Sequence, residues 1–325
     1  MAMDKGVAGR AVVAPPAAEQ RAINWWRLKR SIEPYFFLAP NITGFLVFTA
    51  FPVVAALALS FFRWELLKPP VFVGAENFQK LLTSDPQFRK VAFNTVYFTF
   101  GTVPLRVVLS LFLAAALNQK IRGLTVYRTL LFMPVVSSLI AVALIWQFML
   151  NSNFGLINSM IFWLGDTLGI QVHPPAWLSS TRWAMPAVMG LNLWKNVGFT
   201  MVIYLAGLQA IPQELYEAAE VDGAGAWTKF RHITIPMVSP TTFFVLVMSL
   251  IWAFQVFDEA FVMTQGGPAF STTTLVYYIY LKAFTSLRMG YAAAIGMVLF
   301  VIIFAVTAVQ MYYQRRWVYY EAGRD

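Results

Sequence analysis

The chain has 325 residues, 59% of them hydrophobic and only 12% charged, with a formal net charge of +9 and no cysteine. Soluble domains carry about 25% charged residues, so this composition excludes an ordinary water-soluble fold. The lack of cysteine excludes disulfides, thiolate metal sites and thiol nucleophiles.

The basic residues flank long apolar runs, which ties the positive charge to membrane orientation and not to nucleic acid. Residues 1–33 are polar and basic, with Pro15, Pro16 and the cluster Arg27, Lys29, Arg30. They read as a cytoplasmic tail and not as a cleavable signal, which would place a short apolar stretch there. Six apolar runs follow: Tyr35–Phe62, Val91–Leu117, Tyr127–Leu150, Trp183–Leu208, Pro240–Met263 and Met289–Tyr312. Each meets the length of about 20 residues that a helix needs to cross hydrocarbon. They are too uniformly apolar for alternating barrel strands. The predicted fold is therefore an all-α membrane protein with six transmembrane helices. Residues 1–33 form its N-terminal tail, 34–313 the membrane domain and 314–325 a C-terminal tail.

With the N-terminus inside, fourteen Lys and Arg fall on the cytoplasmic side and eight on the outer side. This bias puts both termini in the cytoplasm. The first outer loop carries an amphipathic stretch, Glu76–Leu82. The second holds Leu156–Leu168, too short to span and so a re-entrant or interfacial helix. The third contains Gly266, Gly267 and Pro268, a turn signal.

The segment 211–238, between the fourth and fifth runs, reads as a helix–turn–helix hook. Pro212 suits a first helical turn, and Glu214 and Glu217 favour the positive end of the helix dipole. Gly223 reads as a helix stop. Trp227, Phe230 and Ile233 then recur every three residues, and Pro236 ends the second helix. Such a hook could lie on the membrane surface, although its polar face begins acidic and lacks the usual Lys and Arg.

The stretch "EAAEVDGAGAWTKFRHITIP" resembles the EAA loop of ABC importer permeases, and it lies where that loop lies. "FVGAENFQKLL", "YRTLLFMP" and "FDEAFVMTQGGP" resemble other segments of the same family, the maltose-type carbohydrate permeases. The resemblance implies a cytoplasmic coupling helix seated on a separate ATPase, with Glu217, Ala218, Ala219, Asp222, Gly223 and Ala224 at the contact. It implies a dimer of cytoplasmic ATPase subunits that binds ATP and Mg, a second permease subunit and an extracytoplasmic solute-binding protein. This chain itself would bind no cofactor or metal and carry no catalytic site, and it would sit in a bacterial cytoplasmic membrane.

Ionisable groups inside spans are functional candidates by default. Arg106 lies mid-run beside Pro104 and reads as an interhelix partner. In the fourth run, Asn192, Trp194, Lys195, Asn196 and Phe199 combine amides, a cation and aromatic faces, which suits a polyhydroxylated solute. Gly198 there is expected to loosen the helix. Gln255 and Asp258 in the fifth run are further solute candidates. Asp258 and Glu259 lie toward the outer end, where they could meet a binding protein or simply be wet. The expected cargo is a sugar or sugar derivative, of the di- or oligosaccharide or glycerol phosphate type. A secondary transporter or channel is the competing reading, but it predicts inverted repeats that the chain lacks. A membrane enzyme would need clustered catalytic groups, and His173 and His232 fall on opposite sides.

Overall fold

The computed structural model describes residues 25–119 and 122–319, with side chains from residue 33 onward. Lys120, most of the expected N-terminal tail and the last residues of the C-terminal tail lie outside the described residues. Contacts divide the chain into two units, Met1–Ala55 and Ala56–Asp325.

Helix α1 (Trp25–Phe45), in the first unit, passes through a π turn, Leu46–Ala50, into α2 (Phe51–Leu59), whose last turn belongs to the second unit. Helix thus begins within the segment read as a tail. The stretch Glu33–Leu59 is long and apolar enough to cross a membrane.

In the second unit a short ribbon follows, β1 (Phe62–Arg63) antiparallel to β2 (Val71–Phe72), with Phe62 opposite Phe72. This ribbon has no counterpart among the predicted elements. Helix α3 (Glu76–Thr83) covers the amphipathic stretch predicted there. Helix α4 (Pro86–Leu117) starts at a defined cap. The Asp85 carboxylate accepts from the N–H groups of Gln87 and Phe88 at 3.0 and 3.1 Å, and Pro86 fills the first helical position. These two choices satisfy orphan donors at the helix start.

The predicted third span is two helices. Helix α5 (Leu124–Val136) and α6 (Leu139–Met149) meet at 97°. Pro134 precedes the break, and Ser137 and Ser138 are extended at it. Helix α7 (Leu156–Leu168) matches the short apolar piece of the second outer loop. Helix α8 (Ala184–Gln209) runs unbroken and is the most enclosed of the long helices, with α4 and α5 packed on it.

The hook follows as α9 (Gln213–Val221) and α10 (Ala226–Lys229), then a π segment Phe230–Thr234 and α11 (Ile235–Met237). Helix α12 (Ser239–Phe254) stops at Gln255, and α13 (Asp258–Thr264) resumes after it. The predicted fifth span is therefore interrupted as well. Helix α14 (Leu275–Tyr280) continues as a π segment, Leu281–Thr285, and α15 (Met289–Trp317) extends the predicted sixth span by one turn and more.

Three described helices are long and apolar enough to span, or five if α5 with α6, and the stretch Ala226–Met237 with α12, which meet at 63°, each count as one. Helix α8 does not reach that apolar level, because Asn192, Lys195 and Asn196 interrupt its hydrophobic run. The core lies where α4 and α8 meet α12: Phe98 and Val103 pack with Met185, Val188, Leu191 and Ala253.

Candidate functional site

A cavity of about 210 Å³ opens between α4, α8 and the break from α12 to α13. Its walls include Arg106, Asn192, Asn196, Trp252, Gln255, Phe257, Asp258 and Glu259, with Leu139 from the start of α6. Both interrupted helices contribute to it. Backbone that leaves a helix at membrane depth is tolerated where it lines a cavity or is covered by protein.

One wall is a buried polar relay. The Arg106 guanidinium donates through Nη2 to Oδ1 of Asn192, and Asn192 Nδ2 donates to Oε1 of Glu259 at 2.6 Å. Arg106 is 2% exposed, Asn192 7% and Glu259 6%. A buried charge is tolerable only when paired and hydrogen-bonded, and here one amide couples a cation to an anion. The Arg106 Nε is buried without a partner. Arg106 as an interhelix group thus agrees with the expectation from sequence, and its partner helix is α8. Glu259 departs from expectation: it points inward and is enclosed, while its neighbour Asp258 is exposed. Alternate placement across the first turn of α13 separates the two acids.

The structure brings together four of the seven residues singled out as solute contacts: Asn192, Asn196, Gln255 and Asp258. Lys195 lies apart from these four. Its ammonium donates to the carbonyls of Ser137, Pro134 and Val135 at 2.7, 3.1 and 3.4 Å, and it does not line the cavity. The carbonyls freed by the α5/α6 break need a donor, and Lys195 supplies three N–H groups. Trp194 packs against Trp146, with centroids 5.9 Å apart, away from the cavity wall. Phe199 backs the wall at one remove, 5.9 Å from Trp252. Gly198 does not loosen α8. A Cβ there would lie 2.1 Å from the Leu131 carbonyl oxygen, so glycine permits the close approach of α5. The residues that sequence reasoning missed, Trp252, Phe257 and Leu139, join the site only because two spans break. Pro134 followed by Ser137 and Ser138 was the available signal for the first break.

At the opposite end of α8, the hook closes with a Schellman turn. Ala224 N–H donates to Ala219 O at 2.8 Å and Gly223 N–H to Glu220 O at 3.0 Å, with Gly223 at φ +77°. That pattern ends an α-helix and favours glycine. Tyr216 and Thr234 share a hydrogen bond of 2.9 Å across the hook, and Lys229 pairs with Glu220 at 2.6 Å. Phe230 stacks on Phe112 of α4 at 5.8 Å, which joins the hook to a long helix. Glu217, Ala218, Val221 and Asp222 remain exposed.

Residues 88–319 match the family described as "Binding-protein-dependent transport system inner membrane component". The chain is 34% identical over 304 residues to the arabinooligosaccharides transport system permease protein AraP of Bacillus subtilis, across 91% of this chain and 93% of that protein. It is 36% identical over 291 residues to the sn-glycerol-3-phosphate transport system permease protein UgpA of Brucella suis, across 89% and 97% respectively. Among solved structures, it is similar to a bacterial ABC transporter involved in import of the acidic polysaccharide alginate. The TM-score is 0.78 at 26% identity, covering 90% of this chain and 98% of that one.

Proposed function

The chain belongs to the binding-protein-dependent transport permeases of the inner membrane, a transmembrane subunit of an ABC importer, and on that premise we propose that it carries a sugar or sugar derivative through the cavity at the α12/α13 break. The observation that carries this reading is the composition of that wall. Asn192, Asn196, Gln255 and Asp258 offer amide and carboxylate partners for hydroxyl groups, and Trp252 and Phe257 offer aromatic faces for the C–H surface of a sugar ring. A few placed polar groups on an apolar lining is the usual make-up of a small-molecule site.

The chain crosses the membrane six times, with both termini in the cytoplasm. The proposed crossings are Glu33–Leu59, α4, α5 with α6, α8, α12 with α13, and α15. On α8, Asn192 is buried, Lys195 is bonded to carbonyls of the α5/α6 break and Asn196 to the Asn192 carbonyl, so these groups need not face lipid. The exposed surface of α9 then lies in the cytoplasm. Glu217, Ala218, Ala219, Asp222, Gly223 and Ala224 form the part that an ATPase dimer grips. ATP and Mg belong to that ATPase, and this chain performs transport without a catalytic site of its own. A second permease subunit completes the cavity, and a solute-binding protein delivers cargo at the outer face. Movement of the ATPase reaches the spans through the stacked pair Phe230 and Phe112 and through the Tyr216–Thr234 bond.

Uptake of labelled saccharides into proteoliposomes holding the whole complex tests the proposal. Asn196→Trp fills the cavity and is expected to reduce uptake at least tenfold while the complex stays assembled. Unchanged uptake would place the solute path elsewhere.

A further inference from the structure

Resting on the reading of the α12/α13 cavity as the solute site, we infer that the rings of Phe261, Tyr280 and Phe284 form an outer sugar subsite, which holds the further rings of a saccharide whose leading ring sits in the cavity. The cavity measures about 210 Å³, below the roughly 300–1,000 Å³ of pockets that enclose drug-sized ligands. A saccharide of several rings therefore extends beyond it. Phe257 lines the cavity and begins a run of neighbouring rings that leads away from it. Its centroid lies 5.3 Å from that of Phe261 and 5.5 Å from that of Tyr280, and Phe284 follows at 5.5 Å from Tyr280. Phe257 is half-buried, Phe261 and Tyr280 are exposed, and Phe284 is 66% exposed. The rings thus open up along the run, away from the cavity.

Neighbouring polar groups identify the occupant. On α13, Asp258 and Phe261 are exposed, three residues apart, while Glu259 and Ala260 between them are buried. That spacing puts a carboxylate and a ring on one helical face. Gln265, at the C-terminal end of the helix, is exposed as well. Lipid tails offer no partner to a carboxylate or an amide at membrane depth, so a face that mixes these with rings does not suit hydrocarbon. A saccharide presents the matching mixture: hydroxyls at the rim of each ring and C–H surface on its faces. The carboxylate accepts hydroxyl donors, the Gln265 amide and the Tyr280 hydroxyl serve either role, and the aromatic rings cover the C–H surface.

The test measures equilibrium binding to the full complex in nanodiscs, with the binding protein omitted, for neutral saccharides of one to four rings from the glucose and arabinose series. In the wild type, affinity is expected to rise at least tenfold from one ring to three. Phe284→Ala, at the most exposed ring, is expected to weaken the trisaccharides at least fivefold more than the monosaccharides, and Phe284→Trp to keep their affinity. Equal weakening of both, or none, overturns the inference, as does affinity that does not rise with ring number. Loss of the second permease from the Phe284→Ala complex overturns it too, because the rings would then belong to a seam between subunits. Asn196→Trp separates this subsite from the reading beneath it. If monosaccharides bind that variant as they bind the wild type, the cavity is not the solute site. If it abolishes their binding while Phe284→Ala spares the trisaccharides, only the outer subsite falls. Absence of binding across the panel removes both.

Discussion

The ammonium of Lys195 stands 2.7 Å from the carbonyl oxygen of Ser137, at the point where one predicted span turns through 97°. A cation in a span is expensive, about 2.5–3.5 kcal/mol on insertion scales. Here the expense is offset by carbonyls that the broken helix would otherwise leave bare.

Lys195→Met is therefore expected to lower the melting temperature of the solubilised complex, with a loss of about 1–3 kcal/mol for carbonyls left without a donor. The apparent solute affinity of whatever complex assembles should change little. Lys195→Arg should recover part of the stability. A fall in affinity without a fall in melting temperature would return Lys195 to the solute path.

The relay makes a prediction about pairs. Arg106→Met leaves Glu259 buried without its counter-charge, and Glu259→Leu leaves Arg106 so; each is expected to cost about 3–5 kcal/mol. The double variant should be milder than the sum of the two, because no lone charge remains. Yield of monodisperse complex and thermal unfolding of all four forms complete the cycle. Additive losses would mean that Asn192 does not couple the two charges.

Asp85 predicts a pH dependence. Burial pushes its carboxyl up, but the hydroxyls of Tyr291 and Tyr278, donating at 2.6 and 2.8 Å, and the Phe88 N–H outweigh this and hold it below the usual carboxylate value. A depressed folded value means the unfolded chain takes up the proton first. The stabilisation is therefore full above the ordinary carboxylate value of about 3.9 and is lost as pH falls through the lower folded value. Wild type should lose more stability than Asp85→Asn between about pH 5 and pH 2. Parallel acid profiles of the two proteins would count against the cap.

In the hook, Gly223→Pro cannot adopt φ +77° and deletes the bond to Glu220. Proline holds φ near −65°. ATP-driven uptake should be abolished while membrane insertion persists. Gly223→Ala meets no neighbour within 4 Å and carries only the left-handed penalty of about 1–2 kcal/mol, so it should retain part of the activity. Full uptake by the proline variant would remove the hook from the coupling path.

The apolar runs, the helix in the second outer loop and the glycine stop of the hook were legible in the sequence, because run length and glycine placement act locally. The breaks at Ser137–Ser138 and Gln255–Phe257 were not. Each needs a tertiary partner to satisfy the freed backbone, and the donor for the first comes from Lys195, nearly sixty residues away. The same reason hid the contacts of Lys195: spacing groups it with the solute candidates, and its ammonium turns to the carbonyls of another helix. Asp258 and Glu259 are adjacent and chemically alike, so only the start of α13 decides which one faces inward. Gly198 looked like a weak point of α8 and is a contact, a distinction that depends on where Leu131 lies.

The low hydropathy of α8 bears on how the chain is made. A segment carrying Asn192, Lys195 and Asn196 is a poor candidate to leave the translocon for lipid unaided. Its shelter against hydrocarbon comes from α4 and α5, both synthesised before it, whereas Glu259 emerges afterwards. Ribosomal order thus delivers two chaperoning neighbours ahead of the vulnerable segment, and leaves the last charge to be sealed once α13 arrives.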